Sequence, residues 1–123
     1  MQFIRSNDVR PSSSAVIHSG KVLETVLVAM PPGESKPVAG GAGAEMREIF
    51  RQLDEILGEA GLERTNVCSA RIYLQDVLRD VGQVNEVWKE YFGTHPPNRR
   101  CYGVQLQAGM LVEAGFVAEF PEE

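Results

Sequence analysis

The segment His95–Phe120, HPPNRRCYGVQLQAGMLVEAGFVAEF, sets two adjacent arginines, Arg99 and Arg100, at the head of an apolar run, with a lone carboxylate, Glu113, further on in LVEAGFVA. How this stretch pairs decides the fold. Its pattern predicts two strands, about Arg100–Gln107 and Leu111–Phe120, with Ala108-Gly109 at the turn of a hairpin. On such a strand Glu113 shares its face with Leu111, Gly115 and Val117, where a carboxylate is costly to bury unless paired or protonated. Glu113 therefore reads either as a solvated acid on an edge strand or as an acid in a pocket, orienting a water or taking a proton. Arg99 and Arg100 read either as surface residues or as a guanidinium that grips a carboxylate through two parallel hydrogen bonds. Alternation sends Arg99 and Cys101 to one face and Arg100 and Tyr102 to the other, so only one arginine enters a given pocket. A two-residue turn would pair Val104 with Glu113 and leave Arg99 roughly 17 Å down the strand. Either a bulge or bend intervenes, or the pocket lies between subunits.

Upstream, Val81, Val84, Val87, Trp88, Tyr91 and Phe92 form the apolar stripe of a helix over about Val81–Phe92, ended by Gly93 and Pro96-Pro97. Before it, NVCSARIYLQDV alternates as a half-buried strand, with Cys68, Ala70, Ile72 and Leu74 on one face and Ser69, Arg71, Tyr73 and Gln75 on the other. A longer helix is predicted over about Ala44–Ala60. Met46, Ile49, Phe50, Leu53, Ile56 and Leu57 recur at helical spacing, and Glu45, Arg47, Glu48, Arg51, Asp54 and Glu55 read as its solvated face. Gly61 marks its end. QFIR, AVIHSG and KVLETVLVAM are strand candidates, Gly20 turns the second into the third, and PPGESKPVAGGAG is a loop. The order β-β-β-α-β-α-β-β predicts an α+β fold: one mixed sheet with both helices on one face. The other face is too apolar for water, which points to a closed homo-oligomer.

A chain of 123 residues fits one domain with a core of its own. No apolar run reaches membrane-spanning length and the N-terminus lacks a signal-peptide core, so cytoplasmic residence is expected. Cys68 and Cys101 read as buried reduced thiols. His18 and His95 form no ligand cluster, and neither C-x-x-C nor H-E-x-x-H occurs, so no protein-held metal is expected. A net charge of −5, with no basic run or stacking platform, argues against nucleic acid as a partner.

PNRRCYGVQLQAGMLVEAGFVAEF resembles the closing signature of the RidA/YjgF family, the reactive-intermediate deaminases. ARIYLQDV…VNEVWKEYFG is similar to the family's strand–turn–helix segment, and AVIHSGKVLET to its early hairpin, nearest the YoaB-like branch. The resemblance implies a chorismate-mutase-like fold, a homotrimer with clefts between subunits, no cofactor, and hydrolysis of 2-imino and 2-enamino acids to 2-keto acids and ammonia. By position it assigns Arg99 to the substrate carboxylate, Glu113 to the attacking water, Cys101 and Asn85 to the cleft wall, and Thr25 to a hydroxyl position near the substrate. Two positions depart from the pattern: Val26-Leu27 stand where a glycine-glutamine pair is common, and Ser12 where the cleft often has an aromatic. Alternatives of other classes are a small-carboxylate-binding module without turnover and the family's older label, an endoribonuclease.

Overall fold

The computed structural model describes residues 1–4 and 13–122. The elements run β1 (Gln2–Ile4), β2 (Ala15–His18), β3 (Val22–Val28), α1 (Gly41–Ala60), a 3-10 turn (Arg64–Asn66), β4 (Val67–Leu74), α2 (Val77–Phe92), β5 (Asn98–Gly103) and β6 (Val112–Glu119). They form one mixed sheet in the order β1-β2-β3-β6-β4-β5. All neighbours are antiparallel except β4 and β5. A parallel pair needs a crossover, and α2 supplies it. Both helices pack on one face of the sheet, α1 over β3 and β6 and α2 over β4.

The predicted hairpin of the last two strands does not form. Ala108 and Gly109 do turn the chain, both with positive φ, and the Met110 N–H donates to the Gln107 carbonyl. The turn, however, carries β6 over β4 rather than back along β5. β6 is thereby hydrogen-bonded on both edges, to β3 and β4, while β5 becomes the sheet edge. The hairpin predicted at Gly20 is present, with Ser19 and Gly20 both at positive φ and Lys21 N donating to the His18 carbonyl.

Alternation along β6 is strict. Val112, Ala114, Phe116 and Ala118 are buried under the helices, and Glu113, Gly115 and Val117 face the other way. Phe116 meets Phe50 of α1, and Phe50 stacks on Tyr91 of α2 at 3.9 Å between centroids, so one aromatic cluster joins both helices to the central strand. Each fully buried Leu, Ile or Phe contributes about 1.5–3 kcal/mol relative to exposure.

Both helices begin earlier than the sequence periodicity predicts. At α1 the glycine-rich start is stabilised from outside, since the Gly43 N–H donates to Gln83 Oε1 of α2. At α2 the Asp76 side chain accepts from the Arg79 N–H, a helix cap that moves the start back to Val77. Gly61 ends α1 in the left-handed conformation expected of it.

Two further expectations are corrected. Cys68 is exposed rather than buried, because a bulge between Val67 and Ser69 shifts the alternation and turns Val67 inward instead. Glu45, grouped with the solvated charges of α1, is only 2% exposed. Its Oε1 accepts from the backbone N–H groups of Leu111 (2.9 Å) and Val112 (3.2 Å), which ties the second turn of α1 to the start of β6.

Burial pushes the Glu45 carboxyl above its ordinary range. The two backbone donors oppose the shift, and the nearby Asp80 adds to it. A carboxyl whose pKa is raised on folding holds its proton more tightly in the native state. Its contribution is complete below the usual glutamate value of 4.5 and is lost as pH rises through the folded-state value. Glu45→Ala should therefore cost about 2–4 kcal/mol of unfolding free energy by orphaning two buried donors. Glu45→Gln keeps an acceptor and should cost less. Urea denaturation of wild type and Glu45→Gln across pH should show the difference moving in favour of glutamine as pH rises above 4.5.

Candidate functional site

Register fixes where each candidate residue points. On β5, Arg99 lies beside Ala70 and Cys101 beside Ile72, so both face the helical layer. Arg99 is half-buried there. Its Nη2 donates to Asn85 Oδ1 of α2 at 2.6 Å, and its guanidinium carbon lies 4.9 Å from the centroid of the Trp88 ring. Asn85 and Trp88 are one helical turn apart and reach the same point. Cys101 is the next residue along this face. Burial pushes its thiol pKa up while the Arg99 charge pulls the other way, and the net direction is upward, so the sulfur stays protonated at neutral pH.

Glu113 occupies the opposite face. Across the sheet it stands in one row with Val28, Tyr73 and Tyr102, and Val26, Gly115, Arg71 and Arg100 form the next row. Among the described residues Glu113 accepts no side-chain hydrogen bond and joins no ion pair. Strand spacing and rise put its Cα roughly 14 Å from that of Arg99, with the side chains on opposite faces. The structure thus brings Arg99, Asn85 and Cys101 together and leaves Glu113 apart from them within one chain. Thr25 is on the helical face, 4% exposed, and its hydroxyl donates to the Ser14 carbonyl. The adjacent Val26 faces the open side and is 63% exposed. Ser12 lies outside the described residues.

The open face mixes apolar and charged side chains, and the charges are unevenly placed. Val26 and Tyr102 are exposed, and Tyr73 and Tyr102 stack with centroids 5.9 Å apart. Arg71 and Arg100 are direct cross-strand neighbours, both exposed, on the β4–β5 side. Glu24, Glu113 and Glu119 lie on the β3–β6 side. The sequence offered no stacking platform, but the structure builds one from tyrosines that are far apart in the chain.

A separate groove of about 330 Å³ lies between the helices on their outer side, lined by Arg47, Phe50, Asp54, Arg64, Val87 and Tyr91 among others. Asp54 accepts from Arg64 at 2.8 Å and from the Tyr91 hydroxyl at 2.6 Å. Burial would raise the Asp54 pKa, but these two donors outweigh it and hold the carboxyl below its usual range. Arg47 pairs with Glu90, and Arg51 with Glu48. The charges lining this groove are already matched, so it presents no unsatisfied group to a ligand.

Sequence reasoning counted Trp88 among the core residues and missed its contact with Arg99. The signal was the three-residue spacing from Asn85 on the helix, which becomes meaningful only once β5 is known to run beside β4.

The profile described as Endoribonuclease L-PSP matches residues 7–120. The chain is 32% identical over 111 residues to human 2-iminobutanoate/2-iminopropanoate deaminase, covering 89% of this chain and 80% of that one. The rat protein of the same name is 34% identical over 107 residues, covering 86% and 77%. Of the solved structures, a chain from Thermotoga maritima matches with a TM-score of 0.88 over 99% of both chains at 22% identity. The Rid-family protein YyfA from Yersinia pestis matches with a TM-score of 0.81 over 89% and 88% at 26% identity. A profile match over nearly the whole chain and relatives above 30% identity agree, and the chain belongs to the endoribonuclease L-PSP family, the RidA/YjgF proteins.

Proposed function

We propose that this protein is a hydrolytic deaminase of 2-imino and 2-enamino acids, working without a cofactor in clefts between the subunits of a homotrimer. The observation that carries the reading is Arg99: a half-buried guanidinium, held by Asn85, that no carboxylate of the described residues neutralises. The curated relatives are named for 2-iminobutanoate and 2-iminopropanoate, and each of these carries a carboxylate next to a C=N carbon. Arg99 binds the carboxylate. Glu113 orients the water that adds to the C=N carbon and takes its proton, and ammonia leaves as the tetrahedral adduct collapses to the 2-keto acid. Thr25 is buried and donates its one hydroxyl proton to the Ser14 carbonyl, and on that ground it is assigned to the fold.

Arg99 and Glu113 point to opposite faces of one sheet, so a shared site takes its arginine from one protomer and its glutamate from the next. The open face supports such packing. It exposes apolar surface, and it places two adjacent arginines on one side and three glutamates on the other. Like charges directly across a sheet are destabilising unless compensated, and the acidic side of a second copy supplies the compensation. Successive head-to-tail contacts of this kind close into a ring. The same packing covers the Tyr73–Tyr102 stack, which argues against RNA as its ligand.

A second reading, a carboxylate-binding module without turnover, is favoured by Val26, which projects beside Gly115 where relatives commonly carry the glycine of a glycine-glutamine pair. The test generates 2-aminoacrylate with a serine dehydratase and follows pyruvate release. The protein should accelerate release, Arg99→Ala should abolish the effect, and Glu113→Gln should lower kcat by about 10²-fold or more. Thermal stabilisation by 2-keto acids with no acceleration would instead establish the binding module. Cys101→Ser should keep activity within about threefold, since a protonated thiol is no nucleophile. Sedimentation should give three times 13.5 kDa. Refolding Arg99→Met together with Glu113→Gln, each strongly impaired alone, should restore wild-type activity at about a quarter of the sites, and no recovery would place both groups in a single chain.

A further inference from the structure

We propose that Asn85 and Trp88 are positioning residues that fix which edge of the Arg99 guanidinium meets the substrate carboxylate, an inference that rests on the reading of Arg99 given above.

A guanidinium carries five N–H donors and offers two forks that each grip a carboxylate through parallel bonds, Nε with Nη2 and Nη1 with Nη2. Both forks use Nη2, one hydrogen each. Asn85 Oδ1 takes one Nη2 hydrogen at 2.6 Å. One fork is therefore closed and the other left whole, so a carboxylate docks in one orientation rather than two. The amide oxygen must face the arginine, because a guanidinium only donates.

Trp88 fixes the plane. Trp88 is 6% exposed and packs against Phe50 and Phe92, with centroids at 6.0 and 4.6 Å, which restrains its ring. The guanidinium carbon sits 4.9 Å from the ring centroid, within the range of a cation–π contact. Two side chains of one helix thus hold a long, otherwise flexible arginine by a face and by an edge.

Among the described arginines, Arg71 and Arg100 lie exposed on the open face. Arg47, Arg51, Arg64 and Arg79 each pair with a carboxylate. Arg99 is held instead by two neutral groups, which orient the charge without cancelling it. Its remaining fork suits a planar acid whose carboxylate is conjugated with the adjacent C=N or C=O, since a fixed carboxylate plane then fixes the reacting carbon as well.

Trp88 is the single tryptophan of the chain, so its emission reports on the guanidinium beside it. Titration with 2-oxobutanoate, a stable 2-keto acid, should give a saturable emission change in wild type and in Glu113→Gln, and none in Arg99→Met. Asn85→Ala should weaken binding about tenfold. Asn85→Asp should weaken it further, about 100-fold, because the new carboxylate occupies the fork, yet this variant should melt no lower than Asn85→Ala. If Asn85 merely supported the fold, Asn85→Ala would lower the melting temperature and leave the affinity of the folded protein unchanged. Trp88→Phe should keep the fold and reduce affinity by less than Trp88→Leu. Calorimetric binding with silent tryptophan emission, or Asn85→Asp binding as well as wild type, would overturn the inference while leaving the deaminase reading in place. No binding by either method would overturn both.

Discussion

β6 is hydrogen-bonded along both edges, and the two registers this imposes decide where Glu113 points. Pairing with β3 sets Val28 beside Glu113, and pairing with β4 sets Tyr73 on its other side. A slip of one residue on either edge would turn Glu113 inward and Phe116 outward. Burial of Phe116 among Phe50 and the helices makes such a slip prohibitive, so the apolar face of β6 holds the acidic one in place. The Glu45 carboxylate adds a second control, gripping the two amides at the head of the strand.

With register fixed, the two candidate residues Arg99 and Glu113 fall on opposite faces of the sheet. The helical face supplies an immobilised cation, and the open face supplies an acid without partners among the described residues. A charge held by neutral neighbours remains available to an incoming anion at little reorganisation cost, the preorganisation on which electrostatic catalysis depends. Separating the acid from it prevents the internal ion pair that would cancel both. In the deaminase proposed above, a second copy of the chain would bring them together.

Much of this was legible from residue order. The apolar stripes of both helices and the opposite facing of Arg99 and Arg100 follow from periodicity, and the turn at Gly20 and the helix stop at Gly61 from the conformational freedom of glycine. The failures have specific causes. Ala108-Gly109 carries a true turn signal, but a turn does not say which strand receives the returning chain, and β4 competed successfully for β6. Cys68 was misplaced because a bulge adds one residue to a strand without any mark in its composition. Glu45 was misplaced because a helical wheel ignores what packs against a helix end, where backbone donors of a distant loop had need of an acceptor. Ser12 falls outside the described residues, and its assignment gains nothing from the structure.

The position of β6 in the chain has a consequence for biogenesis. The strand that joins the β1–β3 half of the sheet to the β4–β5 half leaves the ribosome after every other element described here. Until it emerges, the nascent chain holds two unjoined sheet fragments, each with an unpaired edge exposed to any other strand in reach. Completion of the native sheet therefore waits for β6 and closes a contact between distant parts of the chain, and this slows it relative to a protein built from neighbouring pairs.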